Sequence, residues 1–321
     1  MLSIKRHNYL STYIIFSISI LFALLVGSGL YGYGNDFYEA YYKENIAWGG
    51  IFDQLGYRVS TLTINGVHIG VHIVTFVLAL SSGFLIREHI KFKHSYSLIL
   101  FISLYIVAIH TWPIIMSTSN AMRQGLAMSF IFISLVASSR KNYFWMMAFS
   151  VLTIFMHKTG LILSMIVVFS AIMNNFTASF SHNQKVVINF LVGIFLLFAA
   201  YSTLGLIGFV FSDGGSRIIG GDFRWAFVSI SFIYVTLTIF YRSMLSNSFN
   251  LSLYYFSFIS LSFLIIGLNW QYERLGMMMI IPYILSFGIL LNRSSYKIYL
   301  VLIFMALLWL TIFTGMYASL K

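Results

Sequence analysis

Residues 121–175 read AMRQGLAMSFIFISLVASS, then RKN, then YFWMMAFSVLTIFM, then HKT, then GLILSMIVVFSAIMNN, with charge only where an apolar run starts or stops: Arg123, Arg140, Lys141 and Lys158. A bilayer core about 30 Å thick offers backbone amides no water, so an apolar run of roughly 20 residues is stable there only as a helix. The second and third runs are shorter. A single helix over 143–175 would centre His157-Lys158-Thr159-Gly160 in lipid, so the reading splits it there into two short spans or a re-entrant hairpin.

The same alternation extends outward in both directions. Expected spans are 9–30, 66–86, 96–115, 121–139, 143–157, 160–175, 186–211, 224–241, 251–269, 275–291 and 296–316, about eleven in all. The 321 residues are 60% hydrophobic, 18% aromatic and only 8% charged, with mean hydropathy +0.89. An ordinary soluble domain carries about 25% charged residues, so the expectation is an all-α polytopic membrane protein. With that many crossings, residues 1–321 form a single transmembrane domain. The basic start Met1–Arg6 leads into a first span that is read as retained, because no small-residue cleavage site precedes the aromatic stretch 31–42.

Composition also limits the chemistry. There is no cysteine, which removes disulfides, thiolate catalysis and cysteine-ligated metal. A net charge of +11 brings nucleic acid to mind, but the cations sit in short loops and not along one basic face, so no nucleic-acid partner is expected. The chain has no Walker loop, dinucleotide glycine fingerprint or paired-aspartate motif. His68 and His72 are one helical turn apart, and His110 is on the next span. No carboxylate follows at zinc-site spacing, so neither metal nor cofactor is expected.

An N-terminus in the cytoplasm puts Lys5, Arg6, Arg87, Lys91, Lys93, Arg140, Lys141, Lys185, Arg242, Arg293 and Lys297 inside with the single acid Glu88. Lys43, Arg58, Arg123, Lys158, Arg217, Arg224, Arg274 and Lys321 then face outward with the other seven acids. The excess of Lys and Arg inside follows the positive-inside rule. The concentration of acids is the more informative asymmetry, because it marks the outer face as a mixed polar surface. Two outer loops, 31–65 and 212–223, are long enough to carry structure and contribute to a site there.

Several groups on that face carry chemistry. Arg123, at the start of a span and followed by Gln124, adds its charge to the helix dipole, an arrangement that suits an anion. His157 titrates near neutrality and is read either as a general base or as a phosphate donor, with Lys158 beside it. Tyr38 and Glu39 follow Asp36 in a run that can form a helix. Arg217 lies within the glycine-rich second loop and Arg224 just after it, and Tyr272-Glu273-Arg274 closes the next outer turn. Planar guanidinium grips phosphate oxygens two at a time, so these arginines suit pyrophosphate. Aromatic faces suit sugar. Lipid-linked glycan is the substrate class that needs both.

Gly34-Asn-Asp36 with its following tyrosines, Arg123-Gln124-Gly125-Leu-Ala, the basic turn Arg140-Lys141, and the apolar run ending in His157 with Gly160-Leu161 behind it resemble the EpsG-like group of bacterial polysaccharide polymerases, equivalent to Wzy-type O-antigen polymerases. Members often carry an arginine just before the Gly-x-Asp, where this chain has Tyr31-Gly-Tyr33. The resemblance implies a GT-C-like polymerase architecture in the bacterial inner membrane. The implied activity is glycosyl transfer on undecaprenyl pyrophosphate at the periplasmic face, with membrane lipid and a chain-length regulator protein as partners. It also implies that Arg123, Arg217, Arg224 and Arg274 hold phosphate and that His157 or Asp36 is the base. The alternatives are an O-antigen ligase, and a transporter or flippase for lipid-linked oligosaccharide. The flippase is disfavoured by the absence of matched halves with broken helices.

Overall fold

A computed structural model describes residues 2–34, 37–42, 54–90, 95–211, 225–240, 245 and 247–266. The described residues fall into two compact units, the first reaching Met165 and the second beginning at Ile166.

The first unit opens with α1 (Leu2–Gly27), followed by a wide single-turn helix at Phe37–Tyr42 and the short helix α2 (Gln54–Ser60). A two-stranded antiparallel hairpin, β1 (Thr63–Ile64) and β2 (Val67–His68), pairs Thr63 with His68 and Ile64 with Val67. Its turn is Asn65-Gly66, both at positive φ (51° and 78°), the backbone that a tight two-residue hairpin requires. Next come α3 (Gly70–His89), α4 (Ser95–Ile109), α5 (Trp112–Ser119), α6 (Met122–Ser139), α7 (Tyr143–Met156) and the first residues of α8 (Gly160–Phe176), within which the second unit begins.

Four helical stretches, Tyr9–Gly27, Gly70–Glu88, Met122–Ser139 and His182–Ala200, are long and apolar enough to cross a membrane, and a bent pair makes a fifth. That pair corrects the expected continuous span 96–115. The chain turns by 55° between Leu98–Ile109 and Pro113–Ser119. Pro113 has no N–H to donate and disfavours helix in the residue before it, so α5 restarts with the proline in its first turn. The expected start of the second span at 66 is likewise corrected, because 67–68 belong to the hairpin and α3 begins at Gly70. The break at 157–159 separates α7 from α8 where the charged cluster predicts it, and both helices are apolar and short. The expected spans 275–291 and 296–316 lie outside the described residues.

Helix α6 is the hub of this unit and packs against α3, α5 and α7. Lipid supplies no hydrophobic drive between helices, so close approach through small side chains and hydrogen bonds between helices hold them together. Gly125, Ala127, Ser129, Ser134, Ala137 and Ser138 are all buried on α6. Ser134 Oγ donates to Met146 O at 2.9 Å and lies 2.9 Å from Ser150 Oγ, which sets the register of α6 against α7. Between the two helices Lys141 takes a left-handed conformation (φ 58°), and Asn142 Oδ1 caps α7 by accepting from Trp145 N at 3.4 Å.

Tyr105 ties α4 to both neighbours: its hydroxyl lies 2.8 Å from Ser19 Oγ on α1 and 3.1 Å from Ala79 O on α3. Tyr105→Phe is expected to cost about 1 kcal/mol, the usual scale of such a bond within a membrane. Thermal unfolding in detergent reads that loss, and an unchanged melt would show that the hydroxyl contributes nothing.

The ends of the helices sort by chemistry. At one end Arg140 pairs with Glu88, and Arg87 Nη1 donates to Thr12 Oγ1 at 2.5 Å. The Glu88 carboxylate holds the Arg140 guanidinium above its ordinary pKa. This end gathers the residues expected to face the cytoplasm. Arg123, His157, the hairpin and the wide turn at 37–42 lie toward the other.

In the second unit, α9 (His182–Phe211) and α10 (Trp225–Phe240) both pack on α11 (Ser248–Ile266). Residues 251–260 of α11 are buried on every side. Two bonds tie it to its neighbours: Tyr255 OH donates to Asn189 Oδ1 at 2.6 Å, and Tyr234 OH donates to Asn250 O at 3.2 Å.

Candidate functional site

Arg123 is the second residue of α6, and His157 is the first residue beyond α7. The Ser134–Ser150 pair fixes how these two antiparallel helices lie. At 1.5 Å of rise per residue, Arg123 stands about 16 Å from Ser134 along the axis, and His157 about 10 Å from Ser150 in the same direction. Both therefore occupy one end of the hairpin. Both are buried, Arg123 at 7% exposure and His157 at 5%, and Gln124 is buried at 1%.

Chain segments distant in sequence cover this end. Helix α2 packs on α6 and α7 together, and Gly56 at its centre lies so close to α7 that an added Cβ would strike Met156 O, one residue before His157. An added Cβ at Gly34 would strike the side chain of Asn120 at the joint between α5 and α6. The glycine of the Gly34-Asn-Asp36 motif thus abuts the segment that opens the Arg123-Gln124-Gly125 motif, two stretches that the sequence reading places in one site. Gly125 performs the same service inside that segment, since a Cβ there would meet Ser117 O of α5.

The loop after α1 is held by aromatic contacts. Tyr33 OH donates to Gly27 O at 2.6 Å, and its ring stacks on Phe37 at 4.3 Å. Tyr31 OH meets His110 Nε2 at 2.9 Å, while His110 Nδ1 lies 2.8 Å from Ile106 O. Burial raises the pKa of both tyrosines, so these hydroxyls stay protonated near neutrality. Tyr31 and Tyr33, just before the Gly34-Asn-Asp36 motif, thus serve as two neutral hydrogen-bonding anchors. The three histidines considered for metal go to separate neighbours: His110 to Tyr31, His68 edge-on to Phe37 at 4.9 Å, and His72 against Gly27.

The turn 157–159 is compact. Gly160 N donates to His157 O at 2.8 Å, and Thr159 N donates to His157 Nδ1 at 3.2 Å. Thr159 Oγ1 lies 2.7 Å from the same nitrogen. Beyond the turn, Ser164 Oγ donates to Ser150 O at 2.8 Å and holds α8 against α7.

Of the remaining residues read from sequence, Lys158 is half-buried in the 157–159 turn, while Tyr38 and Glu39 are exposed on the wide turn. Asp36, Arg217, Arg224, Tyr272, Glu273 and Arg274 lie outside the described residues. The sequence reading includes Asn120 and Thr159 only as neighbours of Arg123 and His157, without a role of their own, and does not single out Gly56. Asn120 stands three residues before Arg123, and Thr159 two residues after His157, so proximity along the chain was the available signal for those two. Gly56 had none.

Compared with known proteins, the chain matches no family model, no curated protein and no solved structure.

Proposed function

We propose that this chain is a polysaccharide polymerase, a glycosyltransferase that moves a growing glycan from undecaprenyl pyrophosphate onto a new lipid-linked repeat unit at the periplasmic face of a bacterial inner membrane. The observation that carries the reading is the burial of Arg123 and His157 at one end of the α6–α7 hairpin, beneath a cap to which Gly34 and α2 contribute. A guanidinium withdrawn from water at membrane depth costs several kcal/mol in apolar surroundings, and residues that bear this cost serve substrates or ion paths by default.

In the proposed reaction the bond from the anomeric carbon to the pyrophosphate oxygen breaks, and its electron pair leaves with the lipid pyrophosphate. The acceptor sugar's hydroxyl oxygen bonds to that carbon and its proton passes to a base. Negative charge grows on the departing oxygen, and a preorganised guanidinium stabilises it more in the transition state than in the ground state. Arg123 takes this role, joined by Arg217, Arg224 and Arg274. Gln124, Glu39, Tyr38, Lys158, Tyr272 and Glu273 contact the glycan or its phosphates, and His157 and Asp36 are the candidates for the base.

Orientation is tested separately from chemistry. Reporters fused after residues 45, 218 and 272 are expected to read periplasmic, and one fused after 141 cytoplasmic. A reversal at 45 or 218 would put the two loops on the wrong side for a periplasmic donor. The ligase alternative shares the donor and differs in acceptor: loss of long glycan with single repeat units still capped on the cell surface separates polymerase from ligase.

A further inference from the structure

Histidine does opposite jobs depending on which ring nitrogen holds the proton. A backbone N–H can only donate. With Thr159 N–H donating to His157 Nδ1 at 3.2 Å, that nitrogen presents its lone pair, and the neutral ring carries its proton on Nε2. The Thr159 hydroxyl, 2.7 Å from Nδ1, is placed to donate to the same lone pair. We infer that Thr159 sets the tautomer of His157, so that the imidazole serves its site as an Nε2–H hydrogen-bond donor to an anionic oxygen and not as a general base. The assignment rests on the polymerase reading only for the identity of that anion, a pyrophosphate oxygen.

The turn has no slack in which to exchange tautomers cheaply. His157 has left the helix with an extended backbone (φ −160°, ψ 142°), and its N–H is still held by Thr153 O at 3.3 Å. Its carbonyl accepts from Gly160 N at 2.8 Å, closing the ring of atoms that contains Thr159. Gly160 lies so close to α7 that a Cβ there would strike Thr153 O, and Ser164 fastens α8 to Ser150. For Nε2 to accept a proton from substrate, the ring's own proton would have to move to Nδ1, displacing Thr159 N–H from its acceptor. Thr159 is therefore a positioning residue: it acts through His157.

The test uses the full-length protein in lipid nanodiscs, labelled with 15N-histidine, and His157→Gln assigns the His157 signals by their loss. Wild type is expected to show an unprotonated Nδ1 and a protonated Nε2. Thr159→Val, which keeps the backbone donor and removes the hydroxyl, is expected to keep Nδ1 unprotonated with its 15N resonance shifted by the lost hydroxyl donor, and Thr159→Ser to restore the wild-type spectrum. In glycan synthesis, Gln offers an amide N–H near the place of Nε2–H, so His157→Gln is expected to retain activity within about tenfold of wild type, while His157→Ala falls about a hundredfold or more. A wild-type spectrum with Nε2 unprotonated, an unchanged spectrum in Thr159→Val, or Gln as inactive as Ala would each overturn the inference. If no variant alters glycan length, the polymerase reading fails, and the spectra still decide the tautomer.

Discussion

Arg123→Ala is expected to abolish long glycan while the protein reaches the membrane in wild-type amount. The guanidinium is 7% exposed at the first turn of α6, where the helix dipole already favours an anion, and no other cation among the described residues of that end is buried as deeply. Loss of one preorganised donor to a developing oxyanion typically costs about 3 kcal/mol, a rate loss on the order of a hundredfold, enough to replace a ladder of chain lengths by single repeat units. Arg123→Lys keeps the charge but loses the planar fork that grips two phosphate oxygens, and it is expected to fall most of the same distance. Gel ladders of surface glycan, run beside an immunoblot of the membrane fraction, make the measurement. A wild-type ladder from Arg123→Ala would remove this residue from the site.

Gly56→Val is expected to disable the protein through shape alone. Even a single Cβ at this position would run into Met156 O, and a backbone carbonyl at the end of a helix cannot swing aside as a side-chain tip can. Forcing extra atoms into a packed contact costs about 1–3 kcal/mol, and here the relief comes from lifting α2 off α6 and α7. Water then reaches the end of α7 where His157 is held. The expected result is a lowered melting temperature together with loss of polymer. Leu55→Ala, one residue away and 42% exposed, is the control and should leave both unchanged. Equal behaviour of the two variants would show that the approach of α2 to Met156 is unimportant.

How legible each part was depended on the range of the physics behind it. The break between α7 and α8 could be read because His157 and Lys158 interrupt an apolar run, and a charge in lipid is penalised wherever the rest of the chain lies. The bend at Thr111 went unread although Pro113 announced it, because apolarity continues through 96–115 and averages the proline away. The hairpin at 63–68 was signalled by Asn65-Gly66, but each strand is two residues long, too short for an alternating pattern to stand out. Tyr31 and Tyr33 read as a departure from the pattern that the sequence resembles; their bonds to His110 and Gly27 give them a structural task.

By itself the sequence determined the class of the protein and the position of most helices, and it placed Arg123 and His157 each at a helix end. Those are consequences of transfer free energy, which is summed residue by residue along the chain. Only the tertiary structure decided that Gly34 meets Asn120, that α2 covers the end of α7, and that the Ser134–Ser150 register brings positions 123 and 157 to the same end. Such pairings depend on which small residues allow two backbones to touch and which polar atoms then find partners, quantities that exist only between segments far apart in the chain.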